Sequence, residues 1–104
     1  MKQGEVILVP FPFTDLTSVK TRPALVVGKP GGGKDIIVAA ITSKKSKFAV
    51  EIDDEDLASG ALPVKSYVMC GKIVTLEKSI VRKKVANLKS GVLKKILTKV
   101  RSQF

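Results

Sequence analysis

Apolar and polar positions alternate in short runs over most of the chain, and glycine, proline and small polar residues separate the runs. Residues 5–9 are rich in β-branched side chains and read as a strand. Pro10 and Pro12 follow. Proline cannot donate to a ladder, so regular pairing is expected to end there, and the polar stretch 14–21 is expected to form a loop. Arg22 and Pro23 open a second apolar run, residues 24–27, with Pro23 presetting extended backbone at Arg22. The glycine-rich stretch 29–34 is the clearest turn signal. Residues 35–41 beyond it read as a buried strand, so 24–27 and 36–41 should form a hairpin. Residues 48–52 alternate, with Phe48, Val50 and Ile52 on one face. The acidic run 53–56 suits the first turn of a helix. Residues 66–70 and 72–76 read as two strands, or as one strand bent at Gly71, and Val85 falls in a last short strand.

Near the end of the chain the period changes. Ser90 is expected to cap a helix. Val92, Leu93, Ile96, Leu97, Val100 and Phe104 recur at three- and four-residue steps as one apolar stripe, with Lys94, Lys95, Lys99 and Arg101 on the other side. Five or six short strands and one terminal helix predict a mainly β fold, a small barrel or folded sheet with a C-terminal helix. The length, 104 residues, predicts a single domain spanning 1–104 with a modest core. Aromatic residues make up only 5%, so aliphatic side chains must fill that core. Phe11, Phe13 and Phe48 are assigned to it in preference to stacking on bases.

Charge adds a direction. The formal net charge is +10, and it is uneven: residues 71–104 carry ten Lys/Arg against one Asp/Glu, whereas residues 1–70 carry nine against eight. Such a surface attracts polyanions. Nucleic acid, an anionic membrane and an acidic protein all fit, as does a lysine-rich surface that serves only solubility. No apolar stretch approaches the ~20 residues of a membrane span. Residues 1–4 run straight into the first strand, so no secretory leader is expected. Cys70 is the only cysteine, in keeping with a reducing, cytoplasmic setting, and is expected to be a small core residue.

Histidine is absent, which removes the usual general acid–base, the usual zinc ligand and any Ser-His or Cys-His pair. Lys34 after the glycine run does not make a phosphate loop, because Asp35 stands where serine or threonine is required and a strand follows. The consecutive carboxylates at 53–56 lack the spacing of a chelating loop. No metal and no cofactor is therefore expected.

Two polar points remain at the ends of apolar strands. In an antiparallel hairpin the start of one strand lies beside the end of the next. Arg22 and the pair Thr42 and Ser43 should then be neighbours on one rim of the sheet, where functional groups tend to gather. A guanidinium beside two hydroxyls can grip a phosphate. The same arrangement also fits an arginine capped by strand-end hydroxyls.

At these residues the sequence resembles the MazF/PemK toxin family. Gly4-Glu5-Val6-Ile7-Leu8-Val9 resembles its opening strand. Phe11-Pro12-Phe13-Thr14-Asp15-Leu16 followed by Arg22-Pro23-Ala24-Leu25-Val26-Val27 resembles its next block, and Ala39-Ala40-Ile41-Thr42-Ser43 its strand ending in threonine. Ser66-Tyr67-Val68 and Lys72-Ile73-Val74-Thr75-Leu76 resemble its later strands. The order of the blocks over nearly the whole chain carries the resemblance.

The resemblance implies an SH3-like (PemK/CcdB-type) small β-barrel, a homodimer, a cognate antitoxin and, through the antitoxin complex, DNA binding. It also implies metal-independent, sequence-selective cleavage of single-stranded RNA. It puts the catalytic arginine on Arg22 and the catalytic threonine on Thr42, with Ser43 beside it and Ser18 in the loop covering the site. Lys20, Lys44, Lys45 and Lys47 flank that site and are expected to track the RNA backbone. RNA brings its own nucleophile, the 2′-hydroxyl, whose attack would leave a 2′,3′-cyclic phosphate and a 5′-hydroxyl. Such a reaction needs chiefly alignment and charge stabilisation. An arginine with a pKa above about 12 suits the second task better than proton transfer, and Asp15 is a weak candidate for the base. Two rival readings are a nucleic-acid-binding barrel that cuts nothing and a gyrase-poisoning toxin of the same fold. The match at Arg22 and Thr42 favours cleavage.

Overall fold

The computed structural model describes residues 1–12, 19–29, 31 and 33–104, with the backbone alone at 11, 12, 19 and 20. Its strands are β1 (Glu5–Pro12), β2 (Val19–Gly28), β3 (Asp35–Thr42), β4 (Ala49–Ile52), β5 (Leu57–Gly60), β6 (Ser66–Glu77) and β7 (Lys83–Leu88), followed by one helix, α1 (Ser90–Ser102). The strands form one antiparallel sheet in the order β4-β6-β3-β2-β1-β7-β5. The sheet curls into the half-barrel with a C-terminal helix that the sequence pattern predicts.

The glycine turn does join a hairpin: Ala24 faces Ala40, Leu25 faces Ala39 and Val26 faces Val38. The expectation that pairing stops at the prolines is wrong. β1 runs on through Pro12, with Pro10 opposite Thr21, Phe11 opposite Lys20 and Pro12 opposite Val19. The reason is parity. The Leu8 carbonyl accepts from the Arg82 N–H, on the side away from β2. Pro10 and Pro12 share that parity, so their missing donors face an edge that β7 has already left.

Residues 66–77 form one bent strand. Ala39 faces Ile73 and Ile41 faces Val68, so residues 69–72 stand against Ala40 alone. This bulge bends β6; both of its halves pair with β3, and the first half also holds β4 on its other side. The acidic run makes a single 3-10 turn, Asp54–Asp56, in which the Asp53 N–H donates to the Asp56 carboxylate at 2.8 Å. β5, which follows it and pairs with β7, has no counterpart in the sequence reading.

Both faces of the central strands are buried. On the concave face Val6, Leu25, Ala39, Ile52, Val68, Cys70 and Ile96 belong to one cluster drawn from β1–β4, β6 and α1, joined by Leu57 of β5 and Leu88 of β7. That the two outermost strands share one cluster is what the curl means physically. On the opposite face Ile7, Val9, Ala24, Val26, Ile36 and Val38 form a second cluster, with Val74, Leu76 and Val81 packed against it.

Three expectations are corrected here. Ser90 is the first helical residue and not the cap. Lys89 takes the cap position without a side-chain bond, because its N–H is docked on the Asp56 carbonyl while its own carbonyl accepts from the Leu93 N–H. Phe48 is 59% exposed and Phe104 81% exposed. Phe48 lies in the turn before β4, where strand alternation does not yet hold, and Phe104 lies beyond the end of α1, where the helical period no longer applies. Phe11 and Phe13 have side chains outside the described residues.

Cys70 is fully buried, as expected, and burial pushes its thiol up from its ordinary value. It should therefore resist thiol reagents in the native protein at neutral pH and label fast in denaturant; fast native labelling would place it elsewhere. Ile96 is the one fully buried residue of α1. Ile96→Ala should cost about 2–5 kcal/mol in urea unfolding, because it leaves a cavity where the helix meets the sheet.

Candidate functional site

β2 and β3 carry the strand alternation to their ends, and the site begins where that alternation stops being apolar. Ala24 and Ala40 are opposite one another. Arg22 and Thr42 stand two residues beyond that last pair, each on its own strand. Each is held from its outer side as well, Arg22 by Val9 of β1 and Thr42 by Tyr67 of β6. Both are half-buried, whereas Ser43 and Lys44 beyond them are exposed. The Lys44 N–H donates to Thr42 Oγ1 at 3.1 Å, which closes a tight turn after β3. With that lone pair occupied, the hydroxyl keeps its proton to donate.

Two cavities meet at this rim, and Arg22, Ile41, Thr42 and Ser43 line both. The larger is ≈ 490 Å³, within the range of small-molecule pockets. Its other walls are chiefly apolar: Leu8, Pro23, Leu62, Pro63, Val64 and Val85. Ser66 also faces it, but its hydroxyl donates to the Val64 carbonyl at 2.9 Å, tying down the wall. The smaller cavity is ≈ 230 Å³ and has a different character. Ala40 and Met69 line it together with Arg22, Lys44 and Lys72, and none of its lining residues is acidic. The rim thus sets hydroxyl donors and cations beside an apolar slot. Such an arrangement suits an anionic group joined to a flat, less polar one.

The residues singled out in the sequence fall into three groups. Arg22, Thr42, Ser43 and Lys44 come together. Lys45 and Lys47 are exposed on the β3–β4 connection, outside both cavities. Ser18 and Asp15 lie outside the described residues, and Lys20 is described only as backbone in β2. Among the described residues no three of Cys, Asp and Glu gather as metal ligands, and no helix is long and apolar enough to cross a membrane.

Sequence reasoning missed Lys72 and the wall formed by residues 61–64. Gly71, read as a bend, was the only hint of Lys72, and nothing in the pattern of residues 61–64 showed what they cover. Gly60 is at φ +79°, and a Cβ there would run into the Val85 carbonyl oxygen and the Ala86 Cα. Glycine is needed at this point so that the chain can leave β5 against β7 and turn into the cavity wall.

A curled antiparallel sheet with one terminal helix and a cationic, hydroxyl-lined rim places the chain among small half-barrel β proteins. The chain belongs to the family of PemK-like, MazF-like toxins of type II toxin–antitoxin systems, whose model matches residues 2–104. No curated protein matches it by sequence. Solved structures do match it by fold. An endoribonuclease from a mycobacterial species, in complex with its cognate antitoxin, superposes with a TM-score of 0.76 at 19% identity, over 99% of this chain and 93% of the other. A MazE–MazF structure from Deinococcus radiodurans gives 0.74 at 22% identity, over 98% and 94%. The toxin MazF-mt6 of Mycobacterium tuberculosis gives 0.70 at 18% identity, over 92% and 90%.

Gly60→Ala combines a positive φ with a backbone collision, and should destabilise the protein by at least about 1 kcal/mol in urea unfolding. The loss should exceed that of Ala58→Gly, an exposed change in the same strand. Equal losses would mean that the wall does not depend on this contact.

Proposed function

We propose that this protein is an endoribonuclease toxin that cleaves single-stranded RNA, mRNA in particular, at chosen sequences and without a metal, and that a cognate antitoxin restrains it. The observation that carries the reading is that Arg22 and Thr42, remote in sequence, line the same two cavities on one rim. Family membership and the fold shared with an endoribonuclease bound to its antitoxin add support. The proposal extends to a homodimer acting in the cytoplasm, where mRNA is found.

In this mechanism the RNA 2′-hydroxyl attacks the adjacent phosphorus. The O2′–P bond forms, the P–O5′ bond breaks, the 2′ proton goes to a base and the leaving 5′ oxygen takes a proton. The products are a 2′,3′-cyclic phosphate and a 5′-hydroxyl. Arg22 holds the two non-bridging oxygens with its planar fork and stabilises the charge that builds there. Thr42 donates its hydroxyl proton to the same phosphate, and Ser43 assists from the next position. Lys44 and the flanking Lys20, Lys45 and Lys47 hold the strand on either side, and Ser18 joins them as a substrate-binding residue on the strength of the family resemblance. The metal-free course is supported by the donor set, since the sequence has no histidine and the rim presents cations and hydroxyls.

Incubation with defined single-stranded RNA in EDTA tests this. Fragments should end in cyclic phosphate and 5′-hydroxyl, and Arg22→Ala should lower turnover at least ~100-fold, the scale of losing one charge-stabilising donor. Near-normal cutting by that variant would remove Arg22 from the mechanism. RNA bound but left whole would indicate a binding module, and DNA cleavage complexes with gyrase would indicate the other toxin activity of this fold. RNA binding should weaken steeply with added salt, because phosphate contacts release counterions; a flat response would count against the assignment.

A further inference from the structure

The smaller cavity holds a cation that the reaction above does not use. Lys72 stands on β6, far along the chain from Arg22 and Thr42, yet it lines the same ≈ 230 Å³ space as both of them and Lys44. The bulge brings it there. Residues 69–72 are opposed by Ala40 alone, and bulges re-aim side chains locally. Within the bulge Cys70 turns into the concave core while Met69 and Lys72 turn to the cavity. Among the described residues, the ion pairs are Lys65 with Glu51 at 3.2 Å and Lys84 with Glu5 at 3.8 Å, and Lys72 belongs to neither. Arg22, Lys44 and Lys72 line this small space and no carboxylate does, so its lining favours an anion.

We infer that Lys72 is a substrate-positioning residue, which binds a backbone phosphate next to the scissile one and so fixes how the RNA strand crosses the rim. This rests on the nuclease reading and deepens it. Arg22 grips the phosphate that reacts, and Lys72 grips its neighbour as a point charge. Lys72 therefore acts on strand binding and alignment and leaves the chemical step to Arg22 and Thr42. It differs from the lysines of α1, which contribute only to the general field.

The test compares Lys72→Gln, Lys72→Arg, Lys95→Gln and Arg22→Ala in the full-length protein on one single-stranded RNA, with thermal unfolding as a check on folding. Lys72 is exposed, so its replacement should leave Tm unchanged. Lys72→Gln should raise KM about 10-fold with kcat nearly unchanged, the worth of one hydrogen bond to a charged group, and should lower the salt slope of binding by ~0.7, one phosphate contact on a single strand. Lys72→Arg should restore most of the affinity. Lys95→Gln removes the same charge from the exposed face of α1 and should shift KM less than about 2-fold. An RNA whose phosphate neighbouring the cut is a neutral methylphosphonate should weaken wild type and leave Lys72→Gln unaffected. Equal effects of Lys72→Gln and Lys95→Gln would overturn the inference, as would a fall in kcat with KM unchanged. If Arg22→Ala abolishes cutting while Lys72→Gln behaves as wild type, the nuclease reading stands and this inference fails. If wild type cuts no RNA, both fail together.

Discussion

The antiparallel register between β2 and β3 is the constraint from which the rest of the molecule follows. It is fixed twice over, because both strands are buried on both faces. Leu25 and Ala39 belong to the concave cluster, whereas Ala24, Val26 and Val38 belong to the opposite one. Side chains alternate with a period of two, so a slip of one residue would exchange the two sets and mispack both cores at once. Arg22 and Thr42 are the residues just beyond this doubly buried stretch, and they inherit its alignment without contributing to its cost. Donors held by a close-packed platform need no rearrangement when charge develops in front of them, which is the condition for strong electrostatic stabilisation.

The curl of the sheet supplies what two strands alone cannot. One cluster ties residues of β4 and β5, the outermost strands, to Ile96 of α1. Curling also brings the connection after β5 round to face the β2–β3 rim, so that Leu62 and Pro63 complete the larger cavity with Leu8 and Ile41. On the other side of the rim the β6 bulge supplies Met69 and Lys72. Each cavity thus has one wall from the central hairpin and one from a local departure from regular strand geometry. The positive φ of Gly60 and the extra residues of β6 are irregular in the ladder and useful at the site.

Where period and chemistry agreed, the sequence was informative. The runs around 24–27 and 36–41 carry their turn between them, so their hairpin, and with it the placing of Arg22 and Thr42 at one rim, followed from local signals. The stripe from Val92 to Val100 likewise marked the buried side of α1. Signals that depend on position within the sheet were not legible. Pro10 and Pro12 break a strand whose donors are needed and are harmless on an edge whose neighbour has ended, and only the assembled sheet distinguishes the two. Phe48 and Phe104 continue an apolar pattern past the ends of the elements that give the pattern meaning. Lys72 looked like one more surface lysine, because a bulge redirects a side chain without changing its type. The role of Ser18 rests on family resemblance, since that position lies outside the described residues.

The charge of the molecule separates into two scales. Ten of its cations lie in residues 71–104, yet of these only Lys72 lines either of the two cavities at the rim. The others, on β7, its flanks and α1, act at a distance, and the Debye length of about 8 Å at physiological salt limits their reach. They can draw a polyanion to the surface and quicken encounter without favouring any register of it. Arg22, Lys44 and Lys72 line one small space, within a Debye length of one another, where position matters. Net charge therefore accounts for attraction to polyanions in general, and under the proposed nuclease reading the selection of one phosphodiester falls to the few groups at the rim and the β6 bulge.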